Sequence, residues 1–376
     1  MRLVAVRGPR ERSVRALACV VLACLLQAAI APGLGVLASA GRVETPLPEA
    51  EPGINDAPMP VTFPRDDGPH HVPLEWWYYT GHLWTEDGRR FGFEQVFFKA
   101  QRASGDGVGL VSHVAITDNG RRVFQYDQRI SILPALRSPE TGFDLAIGDW
   151  SVRGANGEDR LVASTEAYNL VLALRSTKPP ALHDGDGYID YGNGQASYYY
   201  SRTRMAVTGT LAVNGKGERI TGEAWMDHQW GDFTTYQDGG WDWYSLQLED
   251  GTDVMLYVIR APDGSPLIVD GSVVDAKGTL TILDREDFRA VSTGTWTSPA
   301  TGITYPSGWA VDMPVVGLSL TLEPSMEDQE LDTRQTTQVV YWEGEVVVQG
   351  TRNGHPIRGF GYVELTGYDH LDDLVA

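Results

Sequence analysis

Glu223-Ala-Trp-Met-Asp-His-Gln-Trp-Gly-Asp-Phe233 is followed closely by Gly239-Gly-Trp-Asp-Trp-Tyr244. Positions 223–244 hold four Trp, one His and five acidic residues, with Gly and Asp between the two clusters. Indole is costly to leave in water, so tryptophans this dense need a wall to pack against. The polar residues among them then sit at the rim of that wall or inside a lined cavity. Read as a strand with alternating sides, 223–232 puts Trp225, Asp227 and Gln229 on one face and Met226, His228 and Trp230 on the other. Asp227 and His228 therefore reach one cavity together only through a bulge.

Outward from this stretch the chain reads as β structure. Glu75-Trp-Trp-Tyr-Tyr-Thr-Gly-His-Leu83 has the aromatic density of a strand covered on both faces. Asp87-Gly88 is a hairpin signal, and Phe91-Gly-Phe-Glu-Gln-Val-Phe-Phe98 returns beside it. There Phe91, Phe93, Gln95 and Phe97 share one side, while Glu94, Val96 and Phe98 share the other. Short strands bounded by Gly, Asn or Asp follow at 112–117, 124–130, 143–152, 160–167, 169–175, 197–202 and 205–213. Residues 178–196 read as a long loop. Nothing keeps a helical period over three turns.

The second half echoes the first. Trp241-Asp-Trp-Tyr-Ser-Leu-Gln-Leu248 matches 76–83, Asp250-Gly251 matches Asp87-Gly88, and Met255-Leu-Tyr-Val-Ile259 stands where 93–97 stood. The period is too long for a solenoid and suits a duplicated domain. The expected fold is all-β: two consecutive antiparallel barrels at 74–233 and 234–376, after a Pro-rich lead-in at 41–73. A barrel of about eight strands can hold one small ligand in its mouth.

The chain has 376 residues, 21% charged, with a net charge of −20. Such a surface is a poor partner for nucleic acid or bare anionic membrane. Residues 1–40 read as an export signal: a basic start with Arg2, Arg7, Arg10, Arg12 and Arg15, an apolar run at 16–31, and Ala38-Ser-Ala40 for cleavage. The alternatives are an uncleaved membrane anchor and a lipoprotein attached through Cys24. Both cysteines, Cys19 and Cys24, fall in this segment, so the mature chain is expected to lack disulfides and to occupy the periplasm or the exterior.

The residues that could carry chemistry are few. An Asp227 buried against Trp has its pKa raised, giving an acid that stays protonated near neutrality. Asp227 and His228 are the candidate catalytic groups; the plain alternative is that they tie strands together. Trp76, Trp77, His82, Trp225, Trp230, Trp241, Trp243 and Tyr244 are the candidate ligand-contacting residues, the alternative being a filled seam between domains. The histidines show no zincin spacing and no Cys is free, so no metal is expected. No Gly-x-Ser-x-Gly elbow occurs. Asp184-Gly-Asp-Gly-Tyr-Ile-Asp190 lacks the closing Glu of a calcium loop.

Taken as a set, the motifs at 75–83, 91–98 and 112–118, Trp225-Met-Asp-His-Gln-Trp-Gly231, 240–248 and Gly361-Tyr-Val-Glu-Leu-Thr-Gly-Tyr368 resemble the AttH-like proteins. That family is related to the bacterial carotenoid 1,2-hydratases (hydroxyneurosporene synthases). The resemblance spans about residues 70–370 and implies a pair of lipocalin-like (calycin) barrels. Gln229 departs from the Glu usual in that motif. The hydratases protonate an isoprenoid alkene and add water to the cation, which needs a protonated acid, aromatic walls and a water. Asp227 or His228 would be the acid; Trp225, Trp230, Trp241 and Trp243 would be the walls. Other relatives of the two-barrel fold catalyse pericyclic ring closures. The export signal fits a cytoplasmic carotenoid enzyme poorly. Two readings therefore stay open: an exported, cofactor-free binder of a hydrophobic small molecule or lipid, compatible with partnership in a membrane-transporter or envelope complex, and a hydratase or related lyase.

Overall fold

The computed structural model describes residues 58–101, 107–136, 139–192, 194–233 and 239–369; the export-signal reading and most of the lead-in lie outside them. Among the described residues there is no α-helix, and none long and apolar enough to cross a membrane. The all-β expectation of two successive lipocalin-like sheets holds.

The first sheet contains β1 (Leu74–Thr85), β2 (Arg90–Gln101), β3 (Val108–Asp118), β4 (Val123–Leu133), β5 (Phe143–Ile147), β6 (Trp150–Ala155), β7 (Glu158–Ser164), β8 (Tyr168–Ser176), β9 (Ala181–Leu182), β10 (Tyr188–Gly192), β11 (Gln195–Val213) and β12 (Lys216–Asp232). Its order is β4-β3-β2-β1-β12-β11-β8-β7-β6-β5, with β9 and β10 added on β11. The sheet curls until its ends meet. Side chains rather than a backbone ladder bridge the gap: Gln125 of β4 accepts from Thr165 Oγ1 and the Ala167 amide, and Arg129 donates to the Ile147 carbonyl.

The second sheet holds β13 (Trp241–Leu248), β14 (Asp253–Arg260), β15 (Pro266–Val274), β16 (Leu280–Leu283), β17 (Arg289–Thr297), β18 (Thr304–Met313), β19 (Leu318–Pro324), β20 (Glu330–Asp332), β21 (Val340–Arg352) and β22 (His355–Leu365). Its order, β16-β15-β14-β13-β22-β21-β19-β18-β17, repeats the first sheet's from β4 through β6, with β13 in the place of β1, β22 in the place of β12 and no counterpart of β5. The register repeats too. Tyr78 stands opposite Asp227 in one sheet, and Trp243 stands opposite Glu364 in the other.

Three local expectations are corrected. Residues 143–152 form two strands, because Gly148 at φ 63° makes a turn between them. Residues 197–213 are one strand with a register shift between Arg202 and Met205, not two. The supposed loop at 178–196 contributes β9, β10 and a 3₁₀ turn (His183–Gly185), since its alternating Tyr188, Asp190 and Gly192 find backbone partners on β11.

Alternation sorts each central strand between two environments. Trp77 and Tyr79 of β1, with Met226, His228 and Trp230 of β12, fill the first sheet's interior together with Phe91, Phe93, Phe97 and Trp150. Tyr244, Leu246 and Leu248 of β13 do the same in the second sheet, against Trp309 and Trp342. The opposite faces meet one another: Tyr78, Val96, Tyr199 and Trp225 pack against Trp243, Met255, Tyr257 and Tyr362. The two barrels thus abut outer face to outer face. Ion pairs pin the seam: Asp253 takes Lys178 at 2.6 Å and Arg204 at 2.7 Å, and His82 meets Glu345 at 2.8 Å.

The lead-in straps across one end of the first barrel. Its Asp67 is buried and accepts from Tyr200 OH (2.8 Å), Arg202 Nη2 (2.7 Å) and the Asn156 amide (2.7 Å). Gly81 marks where β1 and β12 must stay bare: a Cβ there would lie 2.5 Å from the Glu223 carbonyl oxygen and 2.6 Å from Phe93 Cε1. Gly81→Ala is expected to cost ~1–3 kcal/mol by overpacking. Urea unfolding checks this, and a variant as stable as the parent would show that Phe93 yields freely.

Candidate functional site

A cavity of about 120 Å³ lies in the seam. Its walls are Trp76 and Phe98 from the first sheet, Trp241, Trp243, Tyr257 and Ile259 from the second, and Phe233 beyond the end of β12. Its polar groups are Asp227, Gln229, Tyr191, Tyr199 and Glu364. The seam places them there because each sits at the outward parity of its strand.

Asp227 is 3% exposed. Its Oδ1 accepts from Ser201 Oγ (2.5 Å) and Trp225 Nε1 (2.6 Å), and its Oδ2 from Tyr199 OH (2.6 Å). Tyr199 in turn accepts from Trp243 Nε1 at 3.0 Å, which carries the network into the second sheet. Ser201 spends its only proton on Asp227, so the 2.6 Å contact with His183 requires Nε2–H of His183 to donate. Nδ1 of His183 is then the acceptor for Ser272 Oγ, at 3.4 Å. Burial keeps His183 neutral, its pKa pushed down to about 3. Burial also pushes the Asp227 carboxyl up to about 6, with Ser201, Tyr199 and Trp225 holding it back from rising further.

Glu364 is the group the sequence reading missed. It keeps part of its surface open to the cavity and is otherwise enclosed. Trp241 Nε1 donates to its Oε2 at 2.8 Å, and no described residue bonds Oε1. Burial pushes its pKa up to about 7; Trp241 opposes the rise and the neighbouring Asp227 adds to it. Asp227 is thus saturated with donors and set up as an accepting carboxylate, while Glu364 is set up as an acid with a free edge. Two carboxyls in contrasting environments are how one site divides acid and base roles. Gln229 donates to Ser197 Oγ (2.9 Å) and Tyr191 OH (3.0 Å) at the cavity wall.

The other expected site residues lie elsewhere. His228 faces the first barrel's interior, 0% exposed, with Nε2 at 2.9 Å from Glu75 Oε1. Strand β12 is paired to β1 without a register shift, so no bulge swings His228 to the cavity. Its acid role is withdrawn on that geometry. Trp77 stacks on His228 inside the barrel, and Trp230 stacks on His70 at 4.1 Å with planes 1° apart. Tyr244 belongs to the second sheet's interior. His82 lies in the seam but is spent on Glu345. Trp225 sits behind the cavity wall and serves by donating to Asp227. Only Trp76, Trp241, Trp243 and Asp227 of the expected set line the cavity.

His70, Glu75 and His228 bring potential metal-ligating atoms within 4.8 Å of one another. Lys99 Nζ is already 2.7 Å from Glu75 Oε2. Burial works against charge on Glu75, yet Lys99 and His70 hold its carboxyl well below the usual range. An ammonium bonded to the one anionic ligand opposes a divalent ion, so this cluster reads as a buried ionic brace.

The AttH-like family model matches residues 55–368. Among solved structures, an AttH protein from Nitrosomonas europaea is 33% identical over 86% of this chain and all of its own, with a TM-score of 0.74. Kievitone hydratase from Nectria haematococca is 17% identical, covering 79% of this chain and 90% of its own, with a TM-score of 0.64. CghA in complex with Sch210972 is 13% identical, covering 83% and 95%, with a TM-score of 0.52. The last two share the fold alone. No curated protein matches the chain. With its motifs, its paired sheets and a family match over most of its length, the chain belongs to the AttH-like family.

Proposed function

We propose that the protein binds an apolar small molecule in the cavity between its two sheets. The supporting observation is the cavity itself: at the outer-face seam, where two barrels could have packed dry, indole, phenol and phenyl groups surround a space with few polar groups. Export through the N-terminal segment, and a setting beside an envelope transporter, complete this reading. Native mass spectrometry of the protein purified from its host, with solvent extraction, tests it. The expected result is a co-purifying apolar molecule whose retention falls in Trp241→Ala and Tyr257→Ala. Protein that is consistently empty, with nothing extracted, would sink the idea.

A second reading has its own support in Glu364. A protonated carboxyl with one free edge, an accepting carboxylate nearby and aromatic faces around both are the parts needed to protonate an alkene and hydrate the cation. In this reading Glu364 delivers the proton to the bound alkene carbon. Asp227 takes one proton from the water whose oxygen bonds to the cationic carbon, and returns it to Glu364 so that the cycle closes.

A further inference from the structure

Buried carboxylates elsewhere among the described residues have donors on their oxygens: hydroxyl or amide groups at Asp118, Asp159 and Glu330, and basic partners at the others. Glu75 has Lys99, Asp67 has Arg202, Asp242 has Arg260, Asp253 has Lys178 and Arg204, and Glu345 has His82 and Arg90. At and beside the cavity no carboxyl has an ion-pair partner among the described residues, and three fully buried carboxylate oxygens lack any donor. Glu364 and Asp227 line it and are bonded only by neutral donors. Glu343 stands opposite Glu364 on the neighbouring strand. It is 0% exposed, and one oxygen accepts from Tyr78 OH at 2.7 Å while the other has no partner among the described residues. Glu94, 1% exposed, leaves both oxygens unpartnered. Glu94 shares the seam-facing parity of Val96 on β2, and β2 packs on β21, the strand that carries Glu343.

An unpaired buried carboxyl is destabilising, whether it ionises or takes up a proton it cannot share. Among the described residues, the fully buried carboxylate oxygens without any donor are those of Glu94 and Glu343, beside a Trp- and Tyr-walled space. Indole and phenol faces attract positive charge on their own account. The missing counter-charge is therefore assigned to the ligand. We propose that the occupant of the seam cavity is an organic cation, an ammonium group on an apolar body, held by Glu364 and Asp227 with Glu343 and Glu94 behind them and by the faces of Trp76, Trp241 and Tyr257. The inference rests on the binding reading above and names its ligand class. It separates the site from fatty-acid carriers, since a carboxylate head would meet Glu364 and Asp227.

Titration calorimetry with benzyltrimethylammonium and with its neutral isostere neopentylbenzene tests the charge at constant shape. The cation is expected to bind at least about tenfold more tightly, the discrimination one charge-assisted contact supplies. Glu364→Gln should cut that preference about tenfold and leave the neutral probe unchanged. Glu94→Gln removes no hydrogen bond. It should lower cation affinity while raising resistance to urea, a combination that a merely structural residue does not give. Equal or tighter binding of the neutral probe would overturn the cation assignment and leave the binding reading standing. If neither probe binds, both fail together.

Discussion

Trp230→Ala is expected to lower stability by ~3–5 kcal/mol, more than any change at Asp227. The reason is what the indole covers. Trp230 is 4% exposed and lies face to face with His70 at 4.1 Å and Tyr198 at 5.3 Å. His70 donates its amide to Glu75, whose other partners are Lys99 and His228. Truncation therefore opens a hole and admits water to a buried ionic brace whose geometry depends on exclusion of solvent. For a fold holding on the order of 10 kcal/mol in total, that is a third to a half of the margin. Asp227→Asn keeps the shape and loses part of three hydrogen bonds, a cost of ~1–3 kcal/mol. Urea unfolding of both variants ranks them. If Asp227→Asn proves the more damaging, Asp227 is a brace between β11 and β12 rather than a group of the cavity.

The same two residues show what a sequence can and cannot disclose. Strand alternation separated Asp227 from His228 correctly, because side-chain parity follows from backbone geometry alone. It did not say which parity faces the barrel interior. With Trp on both faces of β1 and β12, hydrophobicity gives no answer when both faces are buried. The pattern therefore groups Trp77, Trp230 and Tyr244 with the cavity residues although they belong to the interiors. The duplication held the clue to Glu364. The echo of 76–83 in 241–248 aligns Tyr78 with Trp243, and their cross-strand neighbours are Asp227 and Glu364. Carrying the alignment to the partner strands would have paired the two acids. Glu364 also stood in the terminal motif at 361–368, without a role. Glu94 and Glu343 leave no comparable trace, since they come together only when the barrels dock.

Docking outer face to outer face also explains why acids survive in the seam. A barrel interior is filled by its own strands and tolerates little that does not pack. A seam is built from two surfaces whose fit need not be complete, and here the misfit is the cavity. His82 with Glu345 and Asp253 with Lys178 and Arg204 hold the sheets together away from it. Glu94, with neither oxygen bonded among the described residues, ties nothing across the seam, which the cation proposal accounts for.

Glu364→Gln carries the largest effect expected on chemistry. If the bound molecule is an alkene that the site protonates, incubation in D₂O should place deuterium on the accepting carbon, read by mass spectrometry. The variant should slow this by roughly 10²–10⁴-fold, the usual worth of a positioned general acid. The loss should exceed that of any substitution at His228 that leaves the barrel folded, because His228 does not reach the cavity. The acid assignment makes a second demand that needs no substrate. Glu364 titrates at about 7 in the folded chain, against 4.5 for an ordinary glutamate. Between these values the unfolded chain has released the proton and the folded one retains it, so the wild type loses stability as pH rises through that window. The Gln variant has no proton to lose. Its stability relative to wild type should therefore climb from pH 4.5 to pH 7 and level off above. Two unfolding curves that track each other across that range would mean Glu364 ionises normally, and an acid ionised at neutral pH has no proton to give.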